Sequence, residues 1–317
     1  MKSIGIFPAS GGLGGSTYRH LLEKVPNEKV VLISRHPEKI PEKYLKAGVQ
    51  TRQASYESSI SDLETVFAGI ETLFLISYPS HVREYRIKVQ LPAIDAARRT
   101  GVTHIFYSSL AFGGDAQSNH SVAEVMQAHL ATEAYLRKLA SEDKSFTYTI
   151  LRMGLYAEST PIYTAFFSPK AQPTVSEILI PHDGSGMGIA WIEREELGEA
   201  TARLIARYAE EPDTFQFVNE TVLLTGTKVW TLEDTVKVLA EIAGTDIKIR
   251  EVSVDEYVKL KQVQEIFGSE EKARTWSTAW EAIRAGEAAV VTSQMEEILG
   301  RKPEEFEASV KRYWGVQ

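Results

Sequence analysis

The sequence contains no cysteine among its 317 residues. This absence excludes a disulfide framework, a thiolate zinc site, an iron–sulfur cluster and a cysteine nucleophile. Apolar runs are also short, since none reaches the ~18 residues that a membrane-spanning helix needs. The N-terminus leads directly into a strand pattern, without the long apolar region and small-residue cleavage site of a secretory signal. We therefore expect a cytoplasmic protein that has no membrane partner.

Positive charge is in the minority, with 35 Lys and Arg residues against 43 Asp and Glu residues and a net charge of −8. This balance argues against a nucleic-acid partner, because non-specific nucleic-acid binding depends on neutralising phosphates. The seven histidines are scattered and form no His-x-x-x-His or His–carboxylate cluster, so we expect no metal site. Hydrophobic residues make up 43% and charged residues 25% of the chain, which is typical of a globular protein.

The first half of the chain alternates short apolar runs with amphipathic helical windows. Such alternation requires crossover connections, and it predicts an α/β fold with a doubly wound parallel sheet and helices on both faces. The capping residues Ser59 and Asp62 predict the start of one of these helices. The apolar runs span residues 4–7, 30–33, 72–76, 104–107 and 147–151.

The pattern changes after Leu151, where prolines and a glycine-rich segment at residues 184–188 predict irregular structure. Later windows predict a smaller α+β C-terminal part, which we assign to residues 156–317 as a substrate or lid domain. The chain is expected to return to the sheet of domain 1–155 around residues 190–225. The later elements are a helix at 195–209, strands at 215–218 and 222–224, a helix from Thr231 to Gly244 and two more helices in the tail.

A glycine-rich loop joins the first strand to the first helix. The backbone amides of such a turn can approach a pyrophosphate, whose charge the helix N-terminus favours. Gly11 and Gly14 occupy the second and third positions of a G-x-x-G-x-x-G fingerprint, while Pro8 stands at the first. The loop therefore predicts dinucleotide binding, and the alternative is a connector without a ligand. The candidate cofactor residues here are Ala9, Ser10, Gly11, Gly12, Leu13 and Gly14.

The end of the second strand indicates which dinucleotide is bound. Ser34 and Arg35 follow this strand, and Arg35 lies 21 residues after Gly14, where an NAD site has Asp or Glu. A guanidinium instead suits the 2′-phosphate of NADP(H) by charge and by bidentate donation. We therefore predict NADP(H) as the cofactor, and the alternative is an exposed basic loop.

Several further segments complete a pattern of order and spacing. Together with the glycine loop and Arg35, they resemble the NmrA-like family, a branch of the atypical short-chain dehydrogenase/reductases, and within it the NADPH-dependent quinone oxidoreductases. The resemblance implies a Rossmann-type domain that binds NADP(H), a smaller C-terminal domain, and a substrate cleft between them. It also implies cofactor contacts from Tyr56, Ser77, Tyr78 and His129. The segments are 52–56, 74–77, 95–97, 101–102, 107–109, 132–133, 148–152, 223–226 and 230–232.

The catalytic candidates differ from the Tyr-x-x-x-Lys pair of ordinary short-chain dehydrogenases. Val125 stands at the tyrosine position and His129 at the lysine position, so the ordinary mechanism is not expected. His129 is a candidate proton donor or ribose contact, or else a histidine that only packs on the sheet.

Other candidates follow strands at the carboxyl edge, where ligands bind. Tyr78 can stack on a flat substrate, His81 can donate a proton, and Ser108 and Tyr156 follow neighbouring strands. The alternative for each is a polar residue that closes a loop.

The resulting prediction is an oxidoreductase that transfers a hydride from NADPH to a small, planar, electron-poor substrate such as a quinone. Proton transfer matters less for such a substrate, because the hydroquinone anion can take its proton from water. One alternative is an NADP(H)-sensing regulator without turnover, which would act through a protein partner. Another is a biosynthetic reductase or isomerase, because Met153, Leu155 and Ser159 replace residues typical of the family. The sequence leaves the oligomeric state open.

Overall fold

The computed structural model describes residues 1–80, 82–171 and 175–315. A seven-stranded parallel sheet has the order β3-β2-β1-β4-β5-β6-β8, and β7 pairs with β9 in a small parallel sheet. The predicted doubly wound fold is therefore confirmed. The strands are β1 (Ile4–Phe7), β2 (Val30–Ser34), β3 (Gln50–Gln53), β4 (Thr72–Ile76), β5 (His104–Leu110), β6 (Thr147–Met153), β7 (Glu177–Ile180), β8 (Glu220–Leu224) and β9 (Lys248–Glu251).

The helices cover both faces of the large sheet and build most of the C-terminal part. They are α1 (Gly12–Leu21), α2 (Glu42–Lys46), α3 (Ile60–Phe67), α4 (Arg83–Arg99), α5 (Glu124–Glu142), α6 (Thr160–Tyr163), α7 (Arg194–Glu210), α8 (Leu232–Ala243), α9 (Val254–Tyr257), α10 (Lys261–Phe267), α11 (Glu270–Arg284), α12 (Gln294–Leu299) and α13 (Phe306–Tyr313). Within the described ranges, none of these helices is both long and apolar enough to cross a membrane.

Two helices begin where the capping residues predict. The Ser59 hydroxyl accepts the backbone N–H of Asp62 at the start of α3, and Thr231 does the same for Asp234 at the start of α8. Each hydroxyl satisfies an amide that has no partner within the helix. At the other end of α8, Gly244 has a left-handed conformation with φ +67°, which lets the chain leave the helix.

The sheet is buried between two helical layers. On one face, α3, α4 and α5 cover an apolar cluster that includes Phe7 and Phe67. On the other face, α1 packs against α7 over a cluster that includes Ile6. Gly198 allows this close approach, because a Cβ atom there would lie 2.0 Å from the Ser16 hydroxyl oxygen. Both α7 and β8 thus belong to the layers of the large sheet.

A third apolar cluster lies in the C-terminal part, around Trp191, Tyr257 and Trp280. It joins the β7–β9 sheet to α6, α8, α9, α10, α11 and α13, and Phe112 and Met126 from the first half of the chain also belong to it. Residues 184–188 follow β7 as an irregular segment with positive φ at Gly184 and Gly186, and no helix starts directly after them.

Several predicted elements need correction. The strand predicted at 215–218 is wrong, because the short 3-10 helix Pro212–Thr214 leads instead into a turn. The apolar residue Phe215 in this segment is explained by packing, since its ring centroid lies 5.4 Å from that of Tyr208. The two helices predicted for the tail are also too few, since α9 to α13 lie there. The sequence further misses β3, β7 and β9, and both β3 and β9 are short strands rich in polar residues.

Candidate functional site

The chain order of the large sheet reverses between β1 and β4, and ligands of doubly wound sheets bind beyond the carboxyl ends of the strands at such a point. A cavity of about 320 Å³ lies at the ends of β4, β5 and β6. Helices α6 and α11 of the C-terminal part close it from the opposite side. It is lined by Ile76, Ser77, Tyr78, Pro79, Ser80, Arg86, Ser108, Ser109, Leu110, Val125, His129, Gly154, Leu155, Tyr156, Ser159, Ile162, Tyr163 and Trp276.

The glycine loop lies next to this cavity, between β1 and α1. Gly11 has φ +109°, a conformation that side chains rarely adopt, and a Cβ atom on Gly14 would lie 2.6 Å from the carbonyl oxygen of Pro8. Ser10, Gly11 and Gly12 are exposed, whereas Ala9 and Leu13 are buried. The N-terminus of α1 has no side-chain cap and no acidic residue in its first turn. Its free amides and positive dipole end fit a pyrophosphate group.

Arg194 is a residue at this loop that sequence reasoning missed. It begins α7, and a Cβ atom on Gly12 would lie 2.3 Å from its Nε atom. Its nearest carboxylate contact is loose, with 3.9 Å between Nε and an oxygen of Glu158. Arg194 thus brings a positive charge to the exposed side of the loop. No local pattern could have indicated this, because the contact depends on how α7 packs against α1.

Ser34 is the last residue of β2 and Arg35 follows it, beside the glycine loop. The Ser34 side chain is buried and its hydroxyl oxygen accepts the backbone N–H of His36 at 3.1 Å. The Arg35 side chain is exposed, and no ion pair engages it within the part of the chain that the structure describes. The Arg35 carbonyl accepts a hydrogen bond of 3.1 Å from Gln53. The guanidinium is therefore available to a phosphate on the adenosine side of a dinucleotide.

The two candidate tyrosines Tyr56 and Tyr78 have different surroundings. Tyr56 is buried in the core beside Phe7, and its hydroxyl donates to the carbonyl of Ile76 at 2.7 Å. It does not line the cavity. The ring of Tyr78 does line the cavity, while its hydroxyl donates to Glu57 at 2.6 Å. This bond to a carboxylate raises the pKa of Tyr78 to about 12. The Tyr78 ring is thus available for stacking, whereas its proton is held by Glu57.

A buried polar network lies below the cavity, centred on Arg86 of α4. The Arg86 side chain is 3% exposed. Its Nη2 atom donates to the Ser77 hydroxyl at 2.5 Å and to His129 Nε2 at 2.8 Å, and Nη1 donates to the Val125 carbonyl at 3.0 Å. A guanidinium can only donate, so His129 Nε2 accepts. The His129 proton is therefore on Nδ1, which donates to the Tyr107 hydroxyl at 3.1 Å.

This network determines the charge of His129. Burial, and then the positive charge of Arg86, lowers the pKa of His129 well below its ordinary value. The imidazole is therefore neutral near pH 7, and its one N–H points to Tyr107 rather than to the cavity. In this arrangement His129 holds the guanidinium of Arg86 in place.

The other predicted residues also meet at the cavity. Ser108 is buried and its hydroxyl accepts the backbone N–H of Ser77 at 2.9 Å, which joins the ends of β5 and β4. Tyr156 also lines the cavity, and burial raises its pKa to about 12. His81 lies outside the described residues.

The structure therefore brings Ser77, Tyr78, Ser108, His129 and Tyr156 to one cavity. Sequence reasoning missed three further lining residues, Arg86, Tyr163 and Trp276. The charge of Arg86 near the start of α4 could have indicated a site residue from the sequence. The two aromatic residues could not, because they come from C-terminal helices that are distant in the chain. Among the residues that the structure describes, no group of three or more His, Asp or Glu side chains could hold a metal ion.

Known proteins resemble this chain over most of its length. The sequence model of the NmrA-like family matches residues 1–284. A relative in Aspergillus flavus, described as an NmrA-like family domain-containing oxidoreductase, is 32% identical over 298 residues, which cover 93% of this chain and 89% of the relative.

Solved structures give the same likeness. The triphenylmethane reductase of Citrobacter sp., complexed with NADP(H), is 26% identical with a TM-score of 0.76, over 98% of this chain and 99% of that one. An NADPH-dependent quinone oxidoreductase of Escherichia coli, complexed with NADPH, is 22% identical with a TM-score of 0.76, over 98% of this chain and 100% of that one. At this lower identity the likeness concerns the fold.

Proposed function

The chain belongs to the NmrA-like family, and from this premise we propose that it is an NADP(H)-dependent oxidoreductase that reduces a small, planar, electron-poor acceptor such as a quinone. One observation carries the proposal. An uncapped helix N-terminus and an exposed arginine lie beside a cavity lined by aromatic side chains, at the point where the sheet order reverses.

The residues of the chain fit the cofactor in two places. The amides at the start of α1 bind the pyrophosphate, with Arg194 on the exposed side of the loop. Ser34 and Arg35 hold the part of the cofactor that carries the 2′-phosphate. NADPH, when bound, supplies a hydride at the cavity.

The cavity contributes shape more than acid–base chemistry. Tyr78, Tyr156, Tyr163 and Trp276 all line it, so that it offers aromatic surfaces to a flat ring. Val125 provides no phenol at the position of the usual proton donor, and the Tyr78 proton is bound to Glu57. Placement of the acceptor ring then provides most of the rate enhancement, and water supplies the proton.

We also propose the division into domains on which this site depends. Residues 1–155, together with the returning segment 190–225, form the cofactor domain. The remaining residues to 317 form the substrate or lid domain. Most residues of the apolar cluster around Trp280 come from the C-terminal part, which supports this division. The cytoplasmic location stays a prediction.

A second candidate function is an NADP(H)-sensing regulator that acts on a protein partner. Val125 at the usual tyrosine position and the neutral state of His129 at the lysine position favour it over an ordinary dehydrogenase mechanism. A biosynthetic reductase or isomerase is the third candidate, since Leu155 and Ser159 line the cavity where the family has other residues, and Met153 is buried at the end of β6.

The Arg35→Ala variant tests the proposed cofactor. Loss of charge-assisted bonds worth about 1.5–3 kcal/mol should weaken NADPH binding by about 10- to 100-fold and leave NADH binding unchanged. Titration calorimetry with both dinucleotides measures this, and Arg250→Ala on the distant strand β9 is the matched control. An equal loss for both dinucleotides, or no binding by the unmodified protein, would contradict the proposal.

Turnover separates the candidate functions. NADPH oxidation is followed spectrophotometrically with a panel of quinones, enones and imines. Turnover with quinones supports the reductase, whereas tight NADPH binding without turnover of any acceptor supports the regulator.

A further inference from the structure

We propose that Arg86 is a catalytic residue that stabilises the negative charge placed on an oxygen of the acceptor, and that the cavity therefore takes carbonyl acceptors and rejects cationic ones. This inference rests on the proposed function and specifies its substrate class. It starts from a buried charge that the fold leaves without a counter-ion.

Arg86 is the only formally charged side chain among the described residues that line the cavity. No carboxylate forms an ion pair with it within the described ranges, and all its hydrogen-bond acceptors are neutral. Its Nε atom is buried and has no hydrogen-bond partner. Burying a charge in this way is costly unless something compensates it.

A second buried arginine shows how this fold compensates such a charge elsewhere. Arg152 of β6 forms a two-pronged ion pair with Glu133, with distances of 2.9 and 2.7 Å, and also donates to the carbonyls of Asp115 and Ser118. Arg86, at the ligand cavity, has no such partner. We therefore expect a ligand to supply the negative charge that balances Arg86.

Arg86 is held in place for this role. Ser77 and His129 both accept from Nη2, and the neutral state of His129 keeps Nε2 available as an acceptor. Burial lowers the pKa of the guanidinium below its ordinary value, yet an arginine stays protonated near pH 7. The positive charge is therefore fixed before the acceptor arrives, as electrostatic stabilisation of a transition state requires.

The charge balance of the reaction defines the substrate class. A quinone accepts one hydride, that is two electrons and one proton, from NADPH, which leaves NADP⁺. The acceptor thereby gains one negative charge, which resides on its oxygen until a proton from water completes the hydroquinone. Arg86 stabilises that oxygen. A cationic triphenylmethane dye would instead lose its charge on accepting a hydride, and Arg86 would repel it beforehand.

Equilibrium binding tests this without turnover. The protein is saturated with NADP⁺ and titrated with three probes: 2-hydroxy-1,4-naphthoquinone, which is an anion at pH 7, neutral 1,4-naphthoquinone, and the cationic dye crystal violet. We expect the anionic probe to bind about tenfold more tightly than the neutral one, since a hydrogen bond to a charged group is worth about 1.5–3 kcal/mol. Crystal violet should bind most weakly.

Substitutions assign this preference to Arg86. Arg86→Gln should abolish the preference for the anion and lower kcat with quinones by about 100-fold. Arg86→Lys keeps the positive charge and should restore part of the anion preference and part of kcat. This partial recovery distinguishes the loss of charge from a folding defect in Arg86→Gln. Arg83→Gln changes an exposed arginine on the same helix and should change neither.

Three results would overturn the inference. They are tighter binding of crystal violet than of the anion by the unmodified protein, an undiminished anion preference in Arg86→Gln, and a loss of NADP⁺ affinity in that variant equal to the loss of anion affinity. The proposed function fails separately, if the unmodified protein binds no NADP(H).

Discussion

At the scale of single residues, two glycines of the same loop have different roles. A Cβ atom on Gly14 would lie 2.6 and 2.7 Å from the carbonyl oxygens of Pro8 and Ala9, which are backbone atoms and cannot move alone. The three atoms nearest to a Cβ atom on Gly12 would all belong to the guanidinium of Arg194, the end of a flexible side chain. The turn itself therefore requires Gly14, whereas Gly12 leaves room for the side chain of Arg194.

This difference predicts the outcome of two matched substitutions. Gly14→Ala should lower the free energy of unfolding by about 1–3 kcal/mol, because overpacking displaces backbone atoms. Gly12→Ala should leave it unchanged or slightly higher, since alanine favours a helix. Urea denaturation of both variants measures the difference, and equal destabilisation by the two would refute this account of the loop.

At the scale of elements, the packing of α7 on α1 completes the cofactor site that we propose. The Ser16 hydroxyl donates to the Glu195 carbonyl at 2.9 Å, and Gly198 lets the two helices approach closely. The first residue of α7, Arg194, is thereby brought to the first turn of α1. Two segments that are distant in the chain thus meet at the anion site that we propose.

Arg194 should serve the pyrophosphate, which NADPH and NADH share. Arg194→Ala is expected to weaken the binding of both dinucleotides by a similar factor of about ten, because a charge-assisted contact is lost. Arg35→Ala, by contrast, should affect NADPH alone. Arg203→Ala, on α7 and paired with Glu199, is the control for helix packing. Unchanged NADH affinity in Arg194→Ala would exclude Arg194 from the pyrophosphate site.

At the scale of the whole molecule, one buried histidine couples stability to pH. His104 begins β5, inside the large sheet, and its ring stacks on Tyr208 of α7 with centroids 3.9 Å apart. Its Nδ1 atom lies 2.8 Å from the Thr147 hydroxyl. Burial lowers the pKa of His104 to about 3. The folded protein therefore keeps this ring neutral over a range in which the unfolded chain would bind a proton.

This linkage makes the fold less stable in acid. Above about pH 6.5, the ordinary pKa of histidine, the contribution of His104 is fully present, and it is lost as the pH falls towards 3. The expected slope is about 1.4 kcal/mol per pH unit. Urea denaturation between pH 4.5 and 7 gives the free energy of unfolding as a function of pH. The slope of this curve should be smaller in His104→Gln by the amount that corresponds to one proton, whereas the exposed control His36→Gln should keep the slope of the unmodified protein. Identical slopes in the two variants would contradict the assignment.

Much of the fold could be predicted from local patterns. The inner strands β1, β2, β4, β5 and β6 are continuous apolar runs because both of their faces are buried, and hydroxyl caps announce α3 and α8. The edge strand β3 and the small strand β9 escaped prediction because their Gln, Thr, Arg and Lys side chains suit an exposed edge as well as a loop.

The sequence by itself determined the fold class, the family and the place of the glycine loop and Arg35, because these depend on residues that are close together in the chain. Only the tertiary structure decided that Arg194 joins the loop, that His129 is a neutral acceptor and that Arg86 is buried without a counter-ion among the described residues. The reason is physical. A charge or a pKa is set by the groups that surround it in space, and those groups come from helices and strands that lie far apart in the chain.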